Sequence, residues 1–231
     1  MIKIFADGAD LKTILELNKN PLISGFTTNP SLMPKAVVED YEKFAREVLA
    51  KIKDKPVSFE VLSDDFNEMK RQARKIASWG DNVYVKIPIT DTKGKSSIDL
   101  IHKLLLNDIK LNITAITKDE QVLDISFNKT TPIIVSIFAG RIADTGINPI
   151  SHIEKVKDVV SWNNENIEIL WASSREVLNI YQAEEAGVDI ITCTPELIAK
   201  YEKLKGKDLT EYSLETVQMF FRDGQKVGYK L

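Results

Sequence analysis

The sequence is poor in the residues on which most metal sites and disulfides depend. Its 231 residues include one cysteine, Cys193, and two histidines, His102 and His152. A single cysteine excludes an intramolecular disulfide and a cysteine-based metal cluster. A zinc site or a Ser-His-Asp hydrolase needs a histidine that converges with other functional groups, and two histidines offer little choice. We therefore expect no metal centre.

Three further features are scarce or missing. The formal net charge is only -3, and no long basic run occurs, so neither nucleic acid nor a membrane surface is an expected partner. No apolar stretch approaches the roughly 20 residues that span a bilayer, and the first residues lack the pattern of a signal peptide. We expect a cytoplasmic protein. No G-x-G-x-x-G motif is present, which argues against a dinucleotide-binding sheet.

Instead, short runs rich in Val, Ile, Phe and Thr alternate with longer segments of helical apolar spacing. The predicted strands are Ile2–Asp7, Gly25–Asn29, Val57–Leu62, Val83–Ile89, Lys110–Ile116, Ile133–Phe138, Ile167–Ser173 and Asp189–Thr194. Helical periodicity is clear over Val38–Ile52 and Phe66–Trp79, and Ser213–Val227 predicts an extra C-terminal helix. Eight βα units predict a single α/β domain over residues 1–231, a parallel (β/α)8 TIM barrel with that extra helix. An open doubly wound sheet is the alternative.

Lys86 is the only charged residue in the apolar run Val83–Thr90. Burial disfavours the charged form of an amine, so a buried lysine can act as a neutral nucleophile that attacks a carbonyl carbon. The alternative is a lysine whose aliphatic stem is buried while its ammonium group reaches water.

Strand parity helps to separate these two interpretations of Lys86. Side chains alternate between the two faces of a strand, so one parity faces the barrel axis. In the C-terminal halves of the strands, the predicted inward set is mostly polar: Asp7, Thr27, Asn29, Ser58, Glu60, Tyr84, Lys86, Asn112, Thr114, Ser136, Phe138, Trp171, Ser173, Thr192 and Thr194. A barrel built only for stability would fill this face with Val, Ile and Leu. Because active sites of this fold lie at that end, the pattern favours a functional Lys86.

Several segments then resemble a known family, the transaldolases. They are Gly25-Phe26-Thr27-Thr28-Asn29-Pro30-Ser31-Leu32, Val85-Lys86-Ile87-Pro88, Asn112-Ile113-Thr114, Phe138-Ala139-Gly140-Arg141-Ile142 and Ala172-Ser173-Ser174-Arg175. Their order and spacing match over nearly the whole chain. The short length resembles the small subfamily, which also contains the fructose-6-phosphate aldolases.

The resemblance implies a catalytic set. Lys86 would form a Schiff base with the C2 carbonyl of a ketose phosphate, and retro-aldol cleavage would leave a bound dihydroxyacetone unit. Glu60 and Asp7 would transfer protons, and Thr114 would help to hold a water that relays them to Glu60. No metal or organic cofactor is implied, because the iminium is the electron sink. The alternative is that both carboxylates merely pair with Lys86 in a buried salt bridge.

The resemblance also implies a substrate-binding set. Thr27, Asn29, Asn112 and Ser136 match positions that bind sugar hydroxyls, although as polar groups alone they would also suit a satisfied core. Arg141, Ser173 and Arg175 match the phosphate site, where arginine's planar fork suits phosphate oxygens. Either arginine has a structural alternative, as a loop cap or as the partner of Asp144 or Glu176.

Glu60 and Phe138 resemble the transaldolases, whereas the aldolases of the subfamily carry Gln and Tyr there. The expected reaction is therefore transfer of a dihydroxyacetone unit to an aldose phosphate, as in the pentose phosphate pathway of carbohydrate metabolism. The alternatives are a fructose-6-phosphate aldolase-type lyase and an enzyme for a non-standard sugar phosphate. The second arises because Ile137, Ile89–Ser97 and an inward Trp171 depart from the common pattern.

Two rival classes remain open. One is another phosphate-handling barrel enzyme, an isomerase or decarboxylase in which Lys86 is a general base. The other is a non-catalytic sugar-phosphate-binding protein, which the joint presence of all the catalytic residues disfavours. The resemblance further implies a homo-oligomer, a ring of five or ten subunits whose C-terminal helices cross between neighbours. Phe220 and Phe221 of the last predicted helix are compatible with such contacts, and packing on the barrel is the alternative.

Overall fold

A computed structural model describes residues 2–8, 10–29, 40–123, 125, 131–161 and 166–228. Eight strands close into a barrel in chain order, and each pairs in parallel with the next. They are β1 Lys3–Asp7, β2 Ile23–Thr27, β3 Val57–Glu60, β4 Val83–Pro88, β5 Leu111–Ile116, β6 Ile133–Ile137, β7 Ile167–Trp171 and β8 Ile190–Cys193. The predicted (β/α)8 barrel is confirmed, and the alternative of an open sheet is wrong.

Helices alternate with the strands along the chain. Those described are α1 Leu11–Leu17, α2 Tyr41–Lys51, α3 Phe66–Ala77, α4 Ile98–Leu105, α5 Glu120–Leu123, α6 Ala139–Asp144, α7 Ile150–Ser161, α8 Leu178–Glu185, α9 Pro195–Leu204 and α10 Leu209–Val227. Amphipathic spacing explains how they pack: α3 buries Met69, Ala73 and Ile76, which recur at helical intervals on one face. In the described part of the chain, no helix is long and apolar enough to cross a membrane.

The chain divides into two compact units, Met1–Ile198 and Ala199–Leu231. All eight strands belong to the first unit. The predicted extra helix is α10 in the second, and it begins four residues before the predicted Ser213. Asp208 caps it there, since its carboxylate accepts hydrogen bonds from the backbone N–H groups of Thr210 and Glu211.

An apolar cluster fills the barrel interior and adjoins the polar residues. It contains Phe5, Ile134, Leu170, Ala172 and Ile190, with Tyr84 and Phe138 packed against it. Gly25 makes room for the Phe5 ring, because a Cβ atom at residue 25 would lie 2.5 Å from a ring carbon.

The predicted inward position of Trp171 is wrong. Leu170 and Ala172 face the barrel axis, so Trp171 between them points outward, and it pairs in register with Ile137 and Ile191. The prediction extended the alternation backward from Ser173. Ser173, however, has φ 61°, a left-handed conformation that breaks the alternation just past the end of β7.

Candidate active site

A cavity of about 70 Å³ opens where the carboxyl ends of the strands meet. Ten of the twelve predicted site residues line it: Asp7, Thr27, Asn29, Lys86, Asn112, Thr114, Ser136, Phe138, Arg141 and Ser173. Leu170, Ala172 and Thr192 complete its wall. Glu60 and Arg175 lie outside this lining. Glu60 nevertheless contacts Lys86, whereas Arg175 is paired elsewhere.

Lys86 is buried in the middle of β4, with only 8% of its surface exposed. The β3–β4 ladder places Glu60 directly beside it. The Lys86 ammonium lies 3.1 Å from a Glu60 carboxylate oxygen and donates a hydrogen bond of 2.9 Å to the carbonyl of Thr28. The side chain therefore ends inside the barrel and does not extend to bulk water, which favours the functional interpretation of its burial.

Asp7 ends β1 on the same inner face. Its carboxylate accepts a hydrogen bond of 3.0 Å from the Thr27 hydroxyl, which lies 2.6 Å from the hydroxyl of Thr192. Burial raises the pKa of Asp7, the charge of Glu60 acts in the same direction, and the Lys86 ammonium and the Thr27 hydrogen bond oppose them. A carboxylate with a raised pKa is a stronger base, as proton transfer near neutral pH requires.

A second polar group joins side chains of strands β3, β5 and β6 inside the barrel. Asn112 of β5 donates from its amide nitrogen to the Ser58 hydroxyl at 3.0 Å, and its amide oxygen accepts from the Ser136 hydroxyl at 2.6 Å. All three side chains are buried. Because these bonds fix which amide atom faces each neighbour, Asn112 and Ser136 present a defined surface to the cavity.

The end of β5 departs from regular strand geometry next to Thr114. Ala115 has φ 65°, and the β5–β6 register shifts between Ile113 and Ile116. A left-handed alanine costs roughly 1–3 kcal/mol, and such residues concentrate near functional sites. This irregularity directly follows Thr114, which is buried and lines the cavity, and pairing with β6 resumes at Ile116.

Arg141, whose guanidinium is cationic, and Ser173 both line the cavity. The Arg141 guanidinium lies 5.2 Å from the centre of the Phe138 ring, a cation–π distance. Gly140 allows the start of α6 to approach the turn that follows β7, because a Cβ atom at residue 140 would lie 1.6 Å from the carbonyl oxygen of Ser173. Close backbone contact between two loops thus brings Arg141 and Ser173 together.

Arg175 is engaged by a carboxylate. Its Nε and Nη2 atoms donate to the two oxygens of Asp144 at 3.1 and 2.5 Å. The guanidinium holds the pKa of Asp144 below its usual value, and the charge of Arg141 contributes in the same direction. This pairing is the alternative that the sequence left open for Arg175, and its role as a phosphate ligand stays a prediction.

Sequence reasoning missed two contributors to this site. Tyr41, at the start of α2, contacts the backbone of Glu60 through its hydroxyl. Thr192 was assigned to the inward face but not to the site, where it lines the cavity. The parity of β8 pointed to Thr192, but no sequence signal connects Tyr41 to a strand end 19 residues away.

Comparison with known proteins agrees with this geometry. Residues 4–231 match the family model "Transaldolase/Fructose-6-phosphate aldolase". The chain is 34% identical over 227 residues to a "Probable transaldolase" of Nitrosopumilus maritimus (strain SCM1), which covers 98% of this chain and 96% of that protein. It is also 34% identical over 230 residues to a "Probable transaldolase" of Brucella anthropi, with full coverage of both chains.

Solved structures show the same fold at low identity. The crystal structure of 3-hexulose-6-phosphate synthase matches with a TM-score of 0.57 and 14% identity, over 84% of this chain and 90% of that one. KGPDC from Streptococcus mutans matches with a TM-score of 0.52 and 12% identity, over 84% and 86%. These likenesses concern the fold alone. The family match and the full-length relatives show that this chain belongs to the transaldolase/fructose-6-phosphate aldolase family.

Proposed function

We propose that this protein is a transaldolase that transfers a dihydroxyacetone unit between sugar phosphates through a Schiff base on Lys86. The donor would be sedoheptulose 7-phosphate or fructose 6-phosphate, and the acceptor glyceraldehyde 3-phosphate or erythrose 4-phosphate. The observation that carries the proposal is the buried Lys86, whose amine lies within 3.1 Å of one carboxylate and shares a cavity wall with another.

The first half-reaction uses these groups in turn. The neutral amine of Lys86 attacks C2 of the ketose, and loss of the carbinol oxygen as water gives an iminium. A carboxylate then removes the proton of the C4 hydroxyl. The C3–C4 bond breaks, its electron pair moves into the iminium to give an enamine, and C4 leaves as the aldehyde carbon. Asp7, with its raised pKa, suits the removal of that proton.

The second half-reaction reverses these steps with a different aldehyde. The enamine carbon attacks the acceptor carbonyl, whose oxygen takes back a proton, and water then releases Lys86. Glu60, in contact with the Lys86 nitrogen, suits the proton transfers that make and break the imine. Thr114 would hold the relaying water. Asn29, Asn112, Ser136 and the Thr27 hydroxyl would bind the hydroxyl groups of the sugar.

Transfer is favoured over release of free dihydroxyacetone by the residue that closes the cavity. Phe138 lines it and has no hydroxyl, and no tyrosine is among the described residues of its wall. The described cavity wall therefore offers no tyrosine hydroxyl to hold a water that could protonate the enamine carbon. We expect the enamine to persist until an aldose phosphate binds. Arg141 and Ser173 would bind the phosphate group of that acceptor.

A trapping experiment tests this function. The protein is treated with borohydride and fructose 6-phosphate, with and without erythrose 4-phosphate, and analysed by intact mass and peptide mapping. We expect a dihydroxyacetone-sized adduct on Lys86 that disappears when the acceptor is present. No adduct with either fructose 6-phosphate or sedoheptulose 7-phosphate would contradict the proposal, and steady release of dihydroxyacetone without acceptor would indicate a lyase.

We also propose that copies of this chain associate. In α10 none of the residues is buried, and its exposed apolar side chains include Met219, Phe220 and Phe221. Exposed apolar patches of this kind mark interaction sites. Light scattering during size-exclusion chromatography should give a mass several times that of one chain, and Phe220→Glu together with Phe221→Glu should reduce it. A monomeric native protein would overturn this proposal.

A further inference from the structure

Strands β2 and β3 separate at the active site. Among the residues that the structure describes, their ladder contains the pairs Phe26↔Val57 and Thr27↔Ser58. Across it, the N–H of Phe26 donates to the carbonyl of Pro56 at 2.9 Å, and that of Thr28 donates to the carbonyl of Ser58 at 3.1 Å. In a regular parallel ladder the next two bonds would join Glu60 to β2. The N–H of Glu60 would donate to the carbonyl of Thr28, and the N–H of residue 30 would donate to the carbonyl of Glu60.

Neither regular ladder bond between the Glu60 backbone and β2 is made. Residue 30 is a proline, which has no N–H to give to the Glu60 carbonyl. The carbonyl of Thr28, the regular acceptor for the N–H of Glu60, instead accepts the hydrogen bond from the ammonium of Lys86. The backbone of Glu60 therefore loses both ladder partners at the residue whose carboxylate contacts Lys86.

Tyr41 supplies both missing partners. Its hydroxyl accepts a hydrogen bond of 2.8 Å from the N–H of Glu60 and donates one of 3.2 Å to the carbonyl of Glu60. A single hydroxyl can do this because the N–H and C=O of one extended residue point to the same side. Burial raises the pKa of Tyr41 to about 12, so the hydroxyl keeps its proton over the neutral range.

Aromatic rings and a helix cap surround Tyr41. The ring packs edge-on against Trp79 and Phe59, with centroid distances of 5.9 and 6.2 Å. Asp40 caps α2 and sets the start of the helix at Tyr41. Glu60 and Tyr41 both border a second cavity of about 420 Å³, lined also by other residues of α2 and α3. Packing alone would leave Glu60 room to move in that direction.

We propose that Tyr41 is a positioning residue of the active site, whose hydroxyl replaces the missing β2 ladder and holds Glu60 against Lys86. This role rests on the proposed function, since it matters only if Glu60 transfers protons at Lys86. Tyr41 itself does not line the Lys86 cavity. Its effect on the reaction is therefore transmitted through Glu60.

The test is a double-mutant cycle of Tyr41→Phe and Glu60→Gln. Tyr41→Phe keeps the ring and removes the hydroxyl, with its two hydrogen bonds to the Glu60 backbone and its hydrogen bond to the Thr28 side chain. We expect kcat to fall about tenfold while KM changes less than twofold. In the Glu60→Gln background, the same substitution should change kcat less than twofold. A Tyr41 that only stabilised the fold would give the same fractional loss in both backgrounds, and that result would overturn the proposal.

Trp79→Phe is the matched control. It disturbs the packing of the Tyr41 ring without removing the hydroxyl, so it should lower the melting temperature and leave kcat within about twofold. If Trp79→Phe reduces kcat as much as Tyr41→Phe, the effect belongs to packing and the assigned role is wrong.

A second readout does not require turnover of a particular sugar phosphate. The rate at which borohydride and dihydroxyacetone modify Lys86, measured by peptide mapping, should fall about tenfold in Tyr41→Phe and be unchanged in Trp79→Phe. If Lys86 is modified equally fast in the wild type and in Tyr41→Phe, only the role of Tyr41 is overturned. A wild-type protein whose Lys86 never reacts contradicts the proposed function and, with it, this role.

Discussion

Two groups of predicted site residues are positioned differently. In the first, Asp7, Glu60 and Lys86 stand on strands β1, β3 and β4, and their positions follow from strand ends and register. In the second, Arg141, Ser173 and Arg175 lie in or next to the turns after β6 and β7, and a left-handed residue and an ion pair help to set their positions. We call these the strand-borne and loop-borne groups. Proton transfer at a shared lysine needs fixed distances, whereas phosphate recognition tolerates adjustment.

Removal of the nucleophile should have the largest effect of any change at this site. Lys86→Met should reduce transaldolase activity at least about 10³-fold, because no other group can form the imine. Circular dichroism should show an intact fold. The control is Lys103→Met, an exposed lysine on α4, which should keep full activity. Activity of Lys86→Met above about 1% of wild type would contradict the Schiff-base mechanism.

The substitution Asp7→Asn tests whether a strand-borne residue that serves catalysis lowers the stability of the fold. Asp7→Asn should lower kcat about 10²- to 10⁴-fold, as expected for loss of a general base. Because burial raises the pKa of Asp7, the folded protein binds this proton more tightly than the unfolded chain does, and ionisation is destabilising above the folded-state pKa. The substitution should therefore raise the melting temperature at pH 7.

The same linkage gives the pH range of that stability gain. As the pH falls below 3.8, the usual pKa of an aspartate, Asp7 becomes protonated in both states and the difference from Asp7→Asn should vanish. Melting curves of the two proteins between pH 7 and pH 3 provide the measurement. A lower melting temperature for Asp7→Asn at pH 7 would mean that the charge of Asp7 stabilises the fold.

The sequence predicts the strand-borne group better than the loop-borne one, for a physical reason. Alternation along a strand is enforced by backbone geometry, so the inward positions of Asp7, Lys86 and Asn112 follow once the strands are located. The alternation ends at the first residue with positive φ. It therefore fails between Trp171 and Ser173, where nothing in the sequence marks the left-handed turn.

Long-range contacts are the other part that the sequence does not reveal. Arg175 and Asp144 are separated by 31 residues, and only the approach of two loops brings them together. Tyr41 reaches Glu60 for a similar reason, since its importance depends on a ladder that stops early. The residue types were visible in the sequence, but their partners depend on where irregular backbone directs them.

Within the loop-borne group, we expect Arg141 and Arg175 to differ. Arg141→Ala should raise KM for phosphorylated ketoses about 10- to 100-fold, the value of one or two charged hydrogen bonds. Arg175→Ala should raise it about tenfold or less, because Arg175 must first leave Asp144. Neither change should affect KM for unphosphorylated fructose. An equal effect on both kinds of substrate would remove the phosphate role.

Asp144→Asn sharpens that comparison. The Arg175–Asp144 pair is about half exposed, at 49% and 52% of the two side chains, so holding it is worth no more than about 1 kcal/mol. Its loss should free Arg175 and lower KM for phosphorylated ketoses up to about fivefold. A raised KM would instead show that Asp144 holds Arg175 in its binding position.

The last prediction concerns the backbone contact on which the loop-borne group depends. Gly140→Ala places a methyl group 1.6 Å from the Ser173 carbonyl oxygen, so the two turns must separate. We expect a loss of about 1–3 kcal/mol in unfolding free energy and a raised KM for phosphorylated substrates. The control is Gly224→Ala in α10, where a Cβ atom meets nothing within 4 Å. It should stabilise that helix by about 0.5–1 kcal/mol. Urea denaturation gives the unfolding free energy of both variants. If Gly140→Ala changes the unfolding free energy and KM no more than Gly224→Ala does, the positions of Ser173 and Arg141 do not depend on contact between their turns. The distinction between the strand-borne and loop-borne groups would then lose its structural basis.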